Sequence, residues 1–200
     1  MTTHIILTGE QPLPNLLPLR HYRPEAVLAV YSSRTENAWR RLAEVAGGGV
    51  RFYPLFIRDP YDIFAVQEAL QQEIDRLALP PAELVVNFTG GTKPMSLAAY
   101  FAAAALGAPM IYIQSEGKQT RCYEYTFTGG RAALRGSFII PGVITIDDYL
   151  KAHTGQGVRP RKMEANDYGH RFEMAIYEAL QPPAVDETAR AVSLDDTVDI

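Results

Sequence analysis

Two hundred residues, 47% hydrophobic and 21% charged, describe an ordinary soluble globule with room for one full domain and the start of another. The formal charge of −4 divides unevenly, 13 Lys/Arg against 14 Asp/Glu over residues 1–150 and 6 against 9 over 151–200, which excludes a broad basic face for nucleic acid. The single cysteine, Cys122, excludes an internal disulfide and any thiolate cluster, and no apolar run is long enough for a membrane span. Met1-Thr2-Thr3-His4 enters a strand-like run with no basic leader, so a cytoplasmic protein without membrane contact is expected.

Strands and helices alternate with short connections, the pattern of a parallel α/β sheet. His4–Thr8 reads as a first strand, followed by a Pro/Gly-rich loop over Gly9–Pro14 and a short helix over Asn15–His21. A second strand, Ala26–Tyr31, runs into Ser32-Ser33-Arg34-Thr35, where Ser33 or Thr35 is placed to cap a helix over Glu36–Ala46 that Gly47-Gly48-Gly49 closes. Val50–Ile57 is a third strand. Tyr61–Leu79 is an amphipathic helix with Ile63, Val66, Leu70, Ile74 and Leu77 at helical spacing. Leu84–Phe88 and Met110–Gln114 are the fourth and fifth strands. Thr120–Thr128 alternates like a half-buried antiparallel strand, and a further short strand is expected at Ser137–Ile140. Composition changes near Lys151, where His153 to Lys162 lacks periodicity and reads as a linker. A helix is then expected over Tyr168–Leu180.

The densest signal is Leu84-Val85-Val86-Asn87-Phe88-Thr89-Gly90-Gly91-Thr92-Lys93-Pro94-Met95-Ser96. A buried strand delivers directly into Thr-Gly-Gly-Thr-Lys, and Pro94 opens an Ala-rich helix to Leu106. Glycines permit a sharp turn and close approach to a ligand, while the helix start offers backbone N–H groups and a positive dipole end, with Lys93 adding a full charge. The combination suits a phosphate or another anion. It is not a Walker loop, because G-x-x-x-x-G-K-[ST] is absent. In an open α/β sheet, ligands bind beyond the carboxyl ends of the strands. Thr8-Gly9-Glu10-Gln11, Ser32-Ser33-Arg34-Thr35, Thr89 to Lys93 and Gln114-Ser115-Glu116 are therefore expected to converge on one edge.

No catalytic set is specified. His4, His21, His153 and His170 lack partners at metal spacing, and G-x-S-x-G is absent. Glu173 and Asp199 are two isolated carboxylates and weak candidates for an acidic metal site.

Thr89 to Met95 after an apolar strand, with Gly9-x-Gln11-Pro12-Leu13-Pro14-Asn15 after the first strand and Ser32-Ser33-x-Thr35 after the second, resembles CARF domains. These are the Rossmann-like sensor domains of type III CRISPR defence, and the likeness is strongest to the subgroup that joins a CARF domain to a PD-(D/E)xK nuclease. The resemblance implies a Rossmann-like, mostly parallel sheet flanked by helices over residues 1–150. It implies a homodimer that binds cyclic oligoadenylate, cyclic tetra-adenylate foremost, across its two-fold axis. Carried onto this sequence, the ligand-binding set is Thr8, Gly9, Gln11, Ser32, Ser33, Thr35, Thr89, Gly90, Gly91, Thr92, Lys93 and Met95, with Thr92 and Lys93 meeting the ring.

After a linker over 151–166, residues 167–200 are similar to the start of that family's nuclease. Gly169-x-x-Phe172-Glu173 matches its opening helix, and Asp196-Thr197-Val198-Asp199-Ile200 stands where the family has N-E-x-D before a hydrophobic residue. Asp196-Thr197 departs from the usual Asn-Glu, and the E-x-K strand would lie beyond Ile200, so the nuclease unit reads as truncated. The sensor domain is expected to need no cofactor. Mn or Mg, and contact with nucleic acid, are expected only of a complete nuclease domain. An alternative implied by the family is a ring nuclease that slowly cleaves its bound ligand, using Lys93 with Thr8 or Ser33. A dinucleotide-binding Rossmann domain is a third reading, without its G-x-G-x-x-G.

Overall fold

The computed structural model describes residues 2–117 and 119–157. They belong to two compact units, divided between Val143 and Ile144. The first unit is a seven-stranded sheet in the order β3-β2-β1-β4-β5-β6-β7. The strands are β1 (Thr3–Leu7), β2 (Ala26–Tyr31), β3 (Arg51–Phe56), β4 (Leu84–Asn87), β5 (Met110–Glu116), β6 (Gln119–Thr128) and β7 (Arg131–Ile140). From β3 through β5 neighbouring strands are parallel, and β6 and β7 add antiparallel. The expected α/β architecture is the one observed. β1 is flanked by β2 and β4, so the chain winds outward from β1 in both directions and a crevice opens beyond the carboxyl ends of β1 and β4.

Alternate residues of the strands point to opposite faces. Ile5 and Leu7 join Leu28, Val30, Val86 and Met110 under α3 (Ile63–Arg76) and α4 (Lys93–Leu106). Four alanines of α4, Ala98, Ala99, Ala102 and Ala103, are buried and let the helix lie close to the sheet and to α3. Burying a Leu or Ile side chain here stabilises by about 1.5–3 kcal/mol. On the opposite face His4, Ile6 and Asn87 lie beneath α1 (Leu13–Tyr22), which packs beside α2 (Glu36–Ala46).

Several boundaries differ from the sequence pattern. α1 starts at Leu13, inside the segment read as loop, because prolines suit a first turn; Pro12 caps it and Pro14 follows. Pro18 sits inside α1 without an N–H to give to the Pro14 carbonyl, and the Asn87 amide donates to that carbonyl instead, at 2.8 Å. α3 begins at Ile63 under an Asp62 cap (Ala65 N–H to Asp62 Oδ1, 3.0 Å) and ends at Arg76, shorter than the apolar spacing suggests. β7 is ten residues rather than four. Gly129 (φ 57°) and Gly130 (φ 74°) form the two-residue turn that pairs it with β6, and the ladder shifts register between Glu124 and Tyr125. β3, at the other edge, carries Pro54 in its middle.

The second unit holds α5 (Ile146–Thr154), a helix that the sequence pattern does not predict. Thr145 and Asp148 cap it reciprocally, at 3.0 and 3.1 Å, and the helix runs through Lys151, where the composition shift suggested a linker. The expected helix over Tyr168–Leu180, His170, Glu173 and Asp199 lie outside the described residues. Among the described residues no helix is long and apolar enough to cross a membrane.

Cys122 is fully buried on β6, where burial pushes its thiol pKa up and makes it inert. Beside it the Tyr22 hydroxyl donates to Glu124 Oε1 at 2.9 Å, and the Tyr22 ring packs on His4 with centroids 5.3 Å apart. Burial holds the His4 imidazole neutral and lowers its pKa from 6.5 to about 4. Between these values the unfolded chain binds a proton that the folded chain excludes, so stability falls as pH drops through that window. Urea unfolding at pH 7.5 and pH 5 is expected to show a loss of about 2 kcal/mol in the native chain that is absent in His4→Leu. Equal losses in both proteins would assign the acid sensitivity elsewhere.

Candidate functional site

Three strand ends meet at the crevice, and the β4–α4 turn is its floor. Gly90 passes directly over the last carbonyl of β1, where a Cβ would collide with the Leu7 oxygen. A Cβ on Gly9 would stand 3.2 Å from the Gly91 nitrogen, so the first and fourth strand loops touch backbone to backbone. Gly91 adopts φ 71°, a left-handed conformation natural to glycine, and turns the chain into α4. Thr92 caps the helix: its Oγ1 accepts from the Met95 N–H at 3.2 Å and donates to the Pro60 carbonyl at 2.6 Å. The second bond ties the start of the α3 connection to the α4 N-terminus and brings Tyr61 to the crevice.

Asn87 organises this turn from below. It is fully buried; its amide donates to Pro14 O and to Asn15 Oδ1 (3.0 Å), while its Oδ1 accepts from Thr89 N–H (3.1 Å) and Thr89 Oγ1–H (2.7 Å). Asn15 Nδ2 donates to Leu7 O at 2.9 Å, and Thr89 Oγ1 accepts from the Ile113 N–H at 2.8 Å. The ends of β1 and β4, the middle of β5 and the start of α1 are thus joined through two asparagines and a threonine.

The result is a cleft of about 640 Å³. Thr8, Gly9 and Gln11 reach it from β1, Ser32, Ser33 and Thr35 from β2, and Thr89, Gly90, Gly91, Thr92 and Met95 from β4 and α4. Lys93 is different. It is the first residue of α4, exposed, and not among the residues lining the cleft. The Gln114-Ser115-Glu116 end also stays out, because β5 continues through Glu116 into its pairing with β6. Glu10, Pro14, Arg34, Pro60 and Tyr61 line the cleft although none stood in the expected ligand set. Glu10 and Arg34 were visible as neighbours of that set. Pro60 and Tyr61 lie in the connection from the carboxyl end of β3 to α3, on the same edge of the sheet, and the Thr92 bond to Pro60 holds that connection against the start of α4.

The hydroxyls divide by role. Those of Thr35, Thr89 and Thr92 are engaged within the chain; Thr35 Oγ1, for example, accepts from the Ser32 N–H at 3.1 Å. The Thr8 hydroxyl is buried, in a residue 1% exposed, and has no hydrogen-bond partner among the described residues. An unpaired buried hydroxyl is destabilising, and the residue that carries this one lines the cleft. The lining carries one cation and one anion, Arg34 and Glu10, and these pair with each other at 3.0 Å. Among the described residues no group of three or more His, Cys, Asp or Glu is placed to hold a metal ion.

The family model described as the Card1 CARF domain matches residues 3–149, well over half of the chain. The chain belongs to this CARF family. Among solved structures, Can2 from Sulfobacillus thermosulfidooxidans in complex with cyclic tetra-adenylate is similar with a TM-score of 0.65 at 20% identity, over 90% of this chain and 47% of Can2. Protein VC1899 from Vibrio cholerae gives a TM-score of 0.65 at 16% identity, over 80% of this chain and 41% of that one. A type III CRISPR defence DNA nuclease activated by cyclic oligoadenylate gives 0.58 at 23% identity, over 89% of this chain and 27% of that one. At these identities the likeness is one of fold. The CARF chain spans less than half the length of each of these proteins. No curated protein matches it.

Asn87→Leu would keep the branched side-chain shape but leave Pro14 O, Asn15 Oδ1 and the Thr89 N–H without partners. It is expected to destabilise the CARF domain by about 3 kcal/mol or more in urea unfolding. A loss under about 1 kcal/mol would show that the network is dispensable.

Proposed function

We propose that this CARF domain binds a cyclic oligoadenylate, most specifically cyclic tetra-adenylate, across a homodimer, and that binding controls a nuclease carried by the residues that follow. The observation that carries the reading is the Thr8 hydroxyl, buried without a partner in the wall of a glycine-floored cleft at the N-terminus of α4. A phosphodiester oxygen or a ribose hydroxyl would satisfy it. The helix N-terminus favours the anion, and glycines at 9, 90 and 91 let the backbone approach it closely. Tyr61, 64% exposed at the cleft, offers a ring on which an adenine stacks. Family membership, and a fold shared with a Can2 structure that holds cyclic tetra-adenylate, support the same ligand.

A cleft of about 640 Å³ suits one drug-sized ligand rather than a ring of four nucleotides. Two copies facing each other would enclose the ring and double every contact. Leu97 and Phe101, one turn apart on α4 and 48% and 46% exposed, give that helix an apolar face for the pairing. Lys93, at the exposed start of the same helix, would reach the ring from the rim.

Thr8→Val removes the hydroxyl at nearly constant shape. It is expected to weaken cyclic tetra-adenylate at least ten-fold by calorimetric titration while leaving stability equal or higher, because the unpaired group is gone. Lys93→Ala is expected to weaken binding ten-fold or more, and the native stoichiometry to be one ring per two chains. Undiminished affinity in Thr8→Val, or one ring per single chain, would overturn the reading. Light scattering is expected to show twice the 22.2 kDa chain mass, and Leu97→Glu with Phe101→Glu to give a monomer that no longer binds the ring.

A further inference from the structure

We propose that the Glu10–Arg34 pair is a charge latch on the cleft, which an incoming phosphate opens by taking Arg34 from Glu10. The inference rests on the ligand reading above and assigns to these two residues the selection of that ligand by charge. Among the residues lining the cleft they are the sole charged side chains, and they join at 3.0 Å across the loops that follow β1 and β2. While the pair is closed the lining is neutral. An anion then meets only dipoles, and entry of a full negative charge leaves Glu10 repelled unless Arg34 transfers.

The transfer is easy. Both side chains are largely exposed, 74% for Arg34 and 69% for Glu10, so the pair is a weak one that water and salt already loosen. The backbone beneath Arg34 is fixed, because Ser32 and Thr35 bond reciprocally around it: Ser32 N–H to Thr35 Oγ1 at 3.1 Å and Thr35 N–H to Ser32 O at 3.0 Å. The guanidinium can therefore swing without any rearrangement of the turn. Its planar fork, which gives Glu10 a single hydrogen bond, can donate two parallel N–H bonds to a phosphate. Glu10 sits between Gly9 and Gln11 on a loop whose exposed side opens to solvent, so the released carboxylate can rehydrate. The latch sets a threshold: a neutral nucleoside cannot displace Glu10, and a phosphodiester can.

The test uses the native chain, Glu10→Gln, Arg34→Gln and the double variant, each titrated with cyclic tetra-adenylate and separately with inorganic pyrophosphate. Glu10→Gln is expected to bind both probes two- to five-fold more tightly, the fold-equivalent of an exposed ion pair. Arg34→Gln is expected to bind at least ten-fold more weakly, and the double variant to match Arg34→Gln. A Glu10→Gln protein no tighter than the native one would overturn the latch. So would a gain that persists in the Arg34→Gln background, because Glu10 would then act by direct repulsion. Failure of all four proteins to bind the ring would refute the ligand reading alone; the pyrophosphate series would then decide the latch. The same ordering there supports it, and no difference among the four, including no binding, overturns it.

Discussion

The geometry of this domain depends on how one buried amide is satisfied. Asn87 closes β4 where the parallel ladder runs out, the Phe88 N–H still reaching Ile111 O and the Thr89 N–H turning instead to the Asn87 side chain. Its amide N–H groups answer the carbonyl that Pro18 orphans in α1, and its oxygen holds Thr89, which in turn accepts from Ile113 on β5. One side chain thereby sets the height of α1, the path of the glycine turn and the splay of β5. A low dielectric strengthens each of these bonds and makes the loss of any one expensive.

The same economy governs polar groups higher in the wall. Three threonine hydroxyls hold loops in place, and one, on Thr8, is left without a partner. A binding surface needs both kinds. Loops that are not fixed would lose entropy when a ligand orders them, and affinity would fall accordingly. The Thr92 hydroxyl bridges the two roles, capping α4 while pinning Pro60 and so presenting Tyr61.

Much of this was legible in the sequence. Apolar runs at strand spacing, Thr-Gly-Gly-Thr-Lys before a proline, and the polar ends of the first two strands together predicted the sheet and the cleft on its carboxyl edge. The residues that escaped notice are those whose role is long-range. Pro60 and Tyr61 lie some thirty residues from Thr92 in sequence and meet it through one hydrogen bond. The sequence pattern opens α4 at Pro94 whereas the helix begins one residue earlier, at Lys93, and the Lys93 side chain does not join the cleft wall, because spacing locates a backbone and not a rotamer. The β6–β7 hairpin was partly missed although Gly129-Gly130 marks its turn, since the residues from Arg131 to Gly136 have too little apolar alternation to read as strand. α5 escaped for the opposite reason: Thr145 and Asp148 form a clear cap, but only nine residues follow.

The two edges of the sheet have a consequence of their own. β3 holds Pro54 at its centre, which offers no N–H and crowds any chain that would lie alongside. β7, at the far edge, carries an extra residue, Arg135, where its ladder shifts opposite Glu124 and Tyr125 of β6, which twists the exposed strand away from a straight template. Neither end of the sheet is a surface onto which another strand can readily zip. The domain is protected by both of its edges against edge-to-edge aggregation.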